Sequence, residues 1–169
     1  MAKVAVGLVC AAVATGCSVD RSIDPPLPTA QLSTPSPTES FSGFDSFRSE
    51  YLQAADTLSD TLPPGRVFTE EPPGTWDETG SYEVGTGRVT AVLFWRCAWA
   101  TAYVDATEGG DTVGAARALD KLGAWATMPD VVAHSDEDAR TKWMERVVGP
   151  AESGEDSSLR LIESDCSGG

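Results

Sequence analysis

Residues 88–106 are the most apolar stretch in the second half of the chain, and 88–104 read RVTAVLFWRCAWATAYV. The β-branched and aromatic residues of this stretch favour a strand. However, its length exceeds the roughly five or six residues of a typical strand, and the alanine-rich spacing after Arg96 favours a helix. Arg96 near the middle and the lack of basic flanks argue against a membrane span of similar length. We therefore predict a buried central helix.

One amphipathic helix and an irregular stretch precede this central segment. Apolar side chains recur every three or four residues from Ser42, which can cap the helix with Asp45 three residues on. Glycine and proline then recur too often in 63–87 for a long element. The runs 66–68 and 81–84 are candidate strands, and their pairing would form a short β-hairpin.

Further helices are predicted after the central segment. One uses Asp111 as its cap and ends before Pro129, and the next uses Ser135 as its cap and stops at 149–150. The tail 157–166 has the pattern of one more short helix. The sequence thus predicts a mainly α fold, a small helical domain of about four helices with an irregular Pro/Gly-rich segment.

The segment 4–13 is an uninterrupted run of apolar or small residues, typical of a signal-peptide core. As a helix it spans roughly 15 to 20 Å, short of the ~30 Å hydrocarbon core of a bilayer. The run closes with ATGC at 14–17, which resembles the lipobox of bacterial lipoproteins, although that family usually has leucine where Ala14 stands. The resemblance implies cleavage between Gly16 and Cys17, acylation of Cys17, and a lipid anchor on the extracytoplasmic face of the cell membrane.

These features divide the chain into three parts. Residues 1–16 are the expected signal peptide, 17–42 the lipidated cysteine with a linker, and 43–169 a helical extracytoplasmic domain. The linker is rich in Ser, Thr and Pro and cannot bury enough apolar surface to order itself. We expect it to act as a tether between the membrane and the domain.

Export also bears on the two cysteines of the domain, Cys97 and Cys166. No reducing pool protects thiols outside the cytoplasm, so an even pair suits a disulfide. The pattern across 62–166, with GTG at 85–87 and FWRCAW at 94–99, is similar to uncharacterised exported proteins of Gram-positive bacteria. That resemblance favours helix for the central segment and the disulfide, and it implies no known activity.

Charge and motifs exclude several kinds of function. The chain has 26 Asp and Glu against 12 Lys and Arg, so its field repels phosphate backbones and nucleic acid is not an expected partner. His134 is the single histidine, predicted to lie in a loop between two helices, and no zinc motif is present. Residues 105–111 are faintly similar to a calcium loop, but Ala116 stands where an EF-hand needs glutamate. We predict no catalytic residue, metal or cofactor.

Tryptophan is the remaining signal, with five in the chain. Trp95, Trp99, Trp125 and Trp143 lie on predicted helix stripes and are expected in the core, whereas Trp76 lies in the irregular segment, where an exposed aromatic suits binding. We therefore expect a non-enzymatic binding or interaction module whose partners are the membrane, through the lipid anchor, and an unknown envelope protein or ligand. The alternative is a cell-envelope hydrolase, which needs two carboxylates gathered in one pocket with raised pKa values.

Overall fold

The computed structural model describes residues 40–167 and shows a mainly α domain with a two-stranded antiparallel sheet. The predicted fold class is confirmed. Gly16 and Cys17 lie outside the described residues, as does most of the linker. The elements are β1 (Phe41–Gly43), α1 (Phe44–Leu58) with a 3₁₀ turn (Ser59–Thr61), β2 (Ser81–Glu83), α2 (Thr86–Glu108), α3 (Thr112–Trp125), α4 (Pro129–His134), α5 (Glu137–Trp143), a π-helical turn (Met144–Val148), α6 (Gly149–Glu152) and α7 (Ser157–Ser167).

The predicted central helix is α2, the longest described element. Helices α1 and α3 make its most extensive contacts, and α4 and α7 also pack against it. Because neighbours contact it from several directions, buried residues occur all around the helix, which explains why its sequence has no clear apolar stripe. Among the described residues, no helix has the length and apolar character needed to cross a bilayer.

The core forms where α3 and the C-terminal helices meet α2. Trp95, Trp99, Trp125 and Trp143 are all less than a tenth exposed, as the sequence predicted. The indole nitrogens of Trp95 and Trp99 donate to the hydroxyl and carbonyl oxygens of Thr61, at 2.9 and 3.0 Å. These bonds fix the end of α1 against α2 and satisfy two polar groups that burial would otherwise destabilise.

The predicted hairpin is wrong in its partners. β2 pairs with β1, with Tyr82 opposite Ser42, and 66–68 is irregular. Ser42 therefore lies in a strand and does not cap α1, which begins at Phe44 after Gly43 without a side-chain cap. A local hairpin was favoured by proximity in sequence, whereas the observed pair joins strands about forty residues apart.

The helix caps after α2 are partly as predicted. Asp111 caps α3 by accepting a 2.9 Å bond from the Gly114 backbone amide, as expected. The predicted Ser135 cap is wrong, because Asp136 caps α5 by accepting from Ala139 at 2.6 Å. The Ser135 hydroxyl, one residue beyond the end of α4, instead donates to the Val131 carbonyl oxygen. A carboxylate at an N-cap also interacts favourably with the helix dipole.

Helix α3 ends before Pro129, as predicted, whereas two expectations about the residues that follow are corrected. Pro129 begins α4 in the first turn, where a missing amide is harmless. His134, expected in a loop, is consequently the last residue of that helix. Residues 149–150 do not end the helical segment that begins with α5. The backbone widens there into the π-helical turn, in which the Gly149 amide donates to the Met144 carbonyl oxygen. The wider turn accommodates the ring of Pro150 and its missing donor.

Cys97 and Cys166 form the predicted disulfide, with their Cα atoms 5.7 Å apart. The bond attaches α7 to the middle of α2 across a sequence separation of 69 residues. Leu159 of α7 is fully buried in the main core. The last helix is therefore held both by a covalent bond and by packing.

Candidate ligand groove on the central helix

One face of α2 lies open beside the disulfide, where a groove encloses about 480 Å³. This volume is within the range of roughly 300–1,000 Å³ typical of small-molecule sites. We call this cavity the α2 groove. Its lining consists of Arg66, Pro73, Trp76, Thr90, Leu93, Phe94, Cys97, Ala98, Thr101 and Cys166.

The floor of the α2 groove follows from helical spacing. Leu93, Cys97 and Thr101 recur every four residues and share one side of α2. Leu93 is 38% exposed, whereas Ala100 on a neighbouring part of the helix is fully buried. Leu93 also lines a smaller adjoining hollow of about 50 Å³ that His134 borders. Leu93 is thus the exposed apolar side chain of the floor, and Thr101 adds a hydroxyl group to it.

Trp76 forms part of the wall of the α2 groove. Its ring lies 4.4 Å from Phe47 and 5.7 Å from Tyr82, between ring centroids, and its indole nitrogen donates to the Pro73 carbonyl at 2.9 Å. Trp76 is half-buried, so the expectation of a freely exposed ring is corrected. Its predicted role in binding stays a prediction, but the structure places it on the border of a cavity.

The irregular segment that carries this wall is attached to α1 by polar contacts. Arg48 donates to both carboxylate oxygens of Glu71, at 2.7 and 2.6 Å. This hydrogen bond and the charge of Arg48 hold the pKa of Glu71 below its usual value and raise the pKa of Arg48. The hydroxyls of Tyr51 and Thr69 lie 2.9 Å apart and add a second connection.

Asp77 follows Trp76 directly, and its carboxylate is occupied within its own turn. Its Oδ1 accepts from the hydroxyl and the amide of Thr79, at 2.7 and 2.9 Å, which lowers the pKa of Asp77. The lining of the α2 groove, among the described residues, includes one ionisable side chain, Arg66. The groove is therefore an apolar cavity with a single positive charge.

The glycines at 85–87 position the start of α2, a role that the sequence reasoning missed. Gly85 has a φ of 97°, and the backbone amides of Gly85 and Gly87 both donate to Glu50 Oε2, at 2.9 and 3.3 Å. A Cβ on Gly87 would lie 2.1 Å from the carbonyl oxygen of Phe47. The missing signal was the pairing of a Gly-x-Gly helix start with an acid on the preceding helix.

The only histidine of the chain lies beside this helix start. A Cβ on Gly85 would lie 2.2 Å from the His134 ring, so the imidazole packs directly on the glycine. His134 also borders a shallow depression with Thr86 and Asp136. The structure brings no cysteine or serine nucleophile into hydrogen bonding with His134 among the described residues.

Arg96 lies near the middle of α2, and the sequence indicated only its place in the helix. Its guanidinium carbon lies 5.3 Å from the ring centres of both Trp125 and Trp143, a cation–π arrangement. Burial lowers the pKa of Arg96. Because its Nε has no acceptor among the described residues, this side chain is held by aromatic faces and not by a carboxylate.

The carboxylates expected of a hydrolase are used in other ways. Glu50 and Asp111 cap helices, and Glu108 and Asp156 both bind Arg160. The two resolved shifts of carboxyl pKa, at Glu71 and Asp77, are downward, whereas a general acid needs a raised pKa. The hydrolase alternative stays a prediction that no observed contact favours.

The residues of the faint calcium loop lie across the junction of α2 and α3, where Asp111 serves as the α3 cap. Within residues 40–167, no three side chains of His, Cys, Asp or Glu converge as a metal site requires. The structure therefore gives no geometry from which to derive metal chemistry.

The chain matches no protein-family model, and no curated protein or solved structure is significantly similar to it. The features that bear on function are thus the residues of the chain and the α2 groove.

Proposed function

We propose that this chain is a lipid-anchored lipoprotein of the extracytoplasmic membrane face, and that its helical domain is a non-enzymatic binding module which recognises its ligand in the α2 groove. Two independent observations support the two halves of this proposal. The apolar run that ends in Gly16-Cys17 supports the anchor, and the apolar cavity beside Leu93 supports the binding module.

The anchor is supported by sequence and by physical chemistry. The run 4–13 is too short for a comfortable membrane span but suits a signal peptide, and small residues precede Cys17. Each buried methylene of an acyl chain contributes about 0.8 kcal/mol, so two or three long chains would retain the domain at the membrane. The Cys97–Cys166 disulfide suits an oxidising compartment.

Replacement of the modified thiol tests the anchor. We expect the unaltered chain to incorporate labelled palmitate and to sediment with membranes, and Cys17→Ser to do neither. Intact-mass analysis of the unaltered protein should show a polypeptide that begins at Cys17 and carries added lipid mass. A mature chain that begins elsewhere without lipid would contradict the anchor.

The α2 groove is the single observation that carries the binding proposal. Exposed apolar side chains cost free energy in water, and here Leu93 and Phe94 lie in a concavity and not singly on a convex surface. A rim tryptophan ring and one arginine add an aromatic surface and a positive charge to the apolar lining. Such a lining favours recognition of a ligand over bond-breaking chemistry.

Capture from intact cells tests the binding module. We expect the anchored protein, crosslinked in intact cells and then purified, to retain a bound species that Leu93→Asp abolishes. Val113→Asp is the matched control, because Val113 is 69% exposed on α3 and is not part of the groove lining. Equal retention by both variants would contradict binding in the groove, provided that circular dichroism shows both variants folded.

A further inference from the structure

We infer that the α2 groove binds an amphipathic carboxylate of the fatty-acid type, whose alkyl chain lies along the floor of α2 and whose carboxylate pairs with Arg66. This inference rests on the proposed function and specifies its ligand. It follows from the charge of Arg66 and from the apolar side chains that line the α2 groove with it.

The first step is the contrast in charge between the chain and the groove. The whole chain has a net charge of −14, yet the groove lining contains Arg66 and no carboxylate among the described residues. Arg66 makes the lining locally favourable for an anionic group, although the net charge of the chain repels anions.

The second step is the availability of Arg66. Four other basic side chains are engaged: Arg48 binds Glu71, Lys142 binds Asp138, Arg160 binds Glu108 and Asp156, and Arg140 donates to the Ser135 carbonyl. Arg66 has no side-chain hydrogen bond or ion pair with the residues described, as is also true of Arg88, Arg117, Lys121 and Arg146, but Arg66 is the basic side chain that lines the α2 groove. A planar guanidinium without an internal partner can donate two parallel bonds to a carboxylate.

The third step is the set of apolar side chains that line the α2 groove. Leu93, Phe94 and Ala98 form the floor, and Trp76 and Pro73 form the wall. These side chains offer apolar contact, and the hydroxyls of Thr90 and Thr101 are the polar side-chain groups that line the groove besides Arg66. A straight alkyl chain with one charged end matches this arrangement better than a sugar, which would require several hydrogen-bonding groups.

Alkyl-chain length gives a quantitative expectation. Each methylene that enters an apolar contact contributes about 0.8 kcal/mol, which corresponds to roughly a fourfold gain in affinity. Octanoate, decanoate and dodecanoate should therefore bind with successively lower Kd until the chain outgrows the α2 groove. A flat dependence on chain length would show that the floor is not the binding surface.

The test uses the full chain with Cys17→Ser, so that no acyl group of the protein competes for the groove. The indole N–H signals of ¹⁵N-tryptophan are recorded during titration with decanoate below its micelle concentration, and Trp76→Phe identifies the Trp76 signal. We expect a saturable shift of Trp76 and no shift of Trp143, which lies in the closed core.

Two controls test the role of charge. Arg66→Gln should weaken decanoate binding at least fivefold, and Arg117→Gln, on the exposed surface of α3, should leave the Kd unchanged. Decyltrimethylammonium, with the same chain and the opposite charge, should shift Trp76 much less. Equal response to the two amphiphiles, an unchanged Kd in Arg66→Gln, or no saturable Trp76 shift would each overturn the inference.

These outcomes are distinguishable from failure of the proposed function. If decanoate does not bind but Leu93→Asp still abolishes capture from intact cells, the groove is a binding site and the ligand class is wrong. If decanoate binds as expected, the domain is a binding module whatever its anchor. If neither experiment responds to a change in the groove, both proposals are contradicted.

Discussion

Two groups that each combine tryptophan with arginine lie beside α2, and they differ in closure. Around Arg96, the rings of Trp125 and Trp143 are buried, with their centroids 4.9 Å apart. Around Arg66, the half-buried Trp76 borders an open cavity. We call the first the closed cluster and the second the open cluster.

The two clusters contribute to different properties of the protein. In the closed cluster the aromatic surface is already removed from water, and the Trp143 indole donates to the Leu122 carbonyl at 2.9 Å, so its full contribution is to folding. In the open cluster, apolar surface at Leu93 and Trp76 remains available, so a ligand can still remove it from water. We therefore expect changes in the closed cluster to affect stability and changes in the open cluster to affect binding.

Trp143→Ala is expected to have the largest effect on stability. It removes a buried ring, leaves a cavity and orphans the Leu122 carbonyl, which together should cost roughly 3–5 kcal/mol. Trp76→Ala should cost about half as much, because its ring is only half-buried. Urea unfolding of both variants measures the contrast. Equal losses of stability would erase the distinction between the two clusters.

The disulfide is expected to have the next largest effect. Replacing both Cys97 and Cys166 with alanine should lower the free energy of unfolding by roughly 2–4 kcal/mol, because the denatured chain regains the freedom of a 69-residue loop. The disulfide also lines the α2 groove, so affinity for its ligand should fall with it. The check is urea unfolding with and without a reductant. If reduction changes neither stability nor binding, the covalent tie of α7 is unimportant.

The helix start at 85–87 provides a smaller and more local test. Gly87→Ala places a methyl group against the backbone of α1 and should cost roughly 1–3 kcal/mol. Gly123→Ala is the matched control, since its new methyl group meets only Met144 and Val148 at 3.8 and 3.9 Å and should raise stability by about 0.5–1 kcal/mol. Thermal unfolding compares the two. Opposite signs are expected, and a tolerated Gly87→Ala would contradict the close contact of α1 with α2.

Acid should destabilise the open cluster at a higher pH than the closed cluster. This is the smallest effect among the four predictions. Because the pKa of Glu71 and that of Asp77 are lowered in the folded state, their contributions are present above the ordinary carboxyl value and are lost as the pH falls below it. The Trp76 indole signal should therefore move with a midpoint below about pH 4.5 while the Trp143 signal stays constant. A midpoint well above that value, or joint movement of both signals, would contradict this assignment.

Much of the fold could be predicted from the sequence because its signals are local. Asp111 followed by an apolar stripe specified α3, and the length and composition of 88–106 specified α2. Errors arose where distant contacts decide the outcome. The pairing of β1 with β2 depends on strands far apart in sequence, and the choice of Asp136 over Ser135 as a cap depends on where α4 ends.

The candidate site was predictable only in part, for the same physical reason. Trp76 was singled out by its place among prolines and glycines, and the cysteine pair by its compartment. The groove itself arises because the elements packed on α2 leave Leu93 exposed beside the Cys97–Cys166 disulfide, a fact of packing that periodicity along α2 does not reveal. The sequence gives no sign that Arg66 lines a cavity, or that no described carboxylate lines it with Arg66.

Site-specific photocrosslinking in intact cells tests most directly whether the open face of α2 is a binding surface. A benzophenone amino acid replaces Leu93 in one variant and Val113 in another, since both native side chains are exposed and only Leu93 lies in the groove. A covalent adduct of defined mass from position 93 and none from position 113 is the predicted result. No adduct at 93, or the same adduct at both positions, would contradict it.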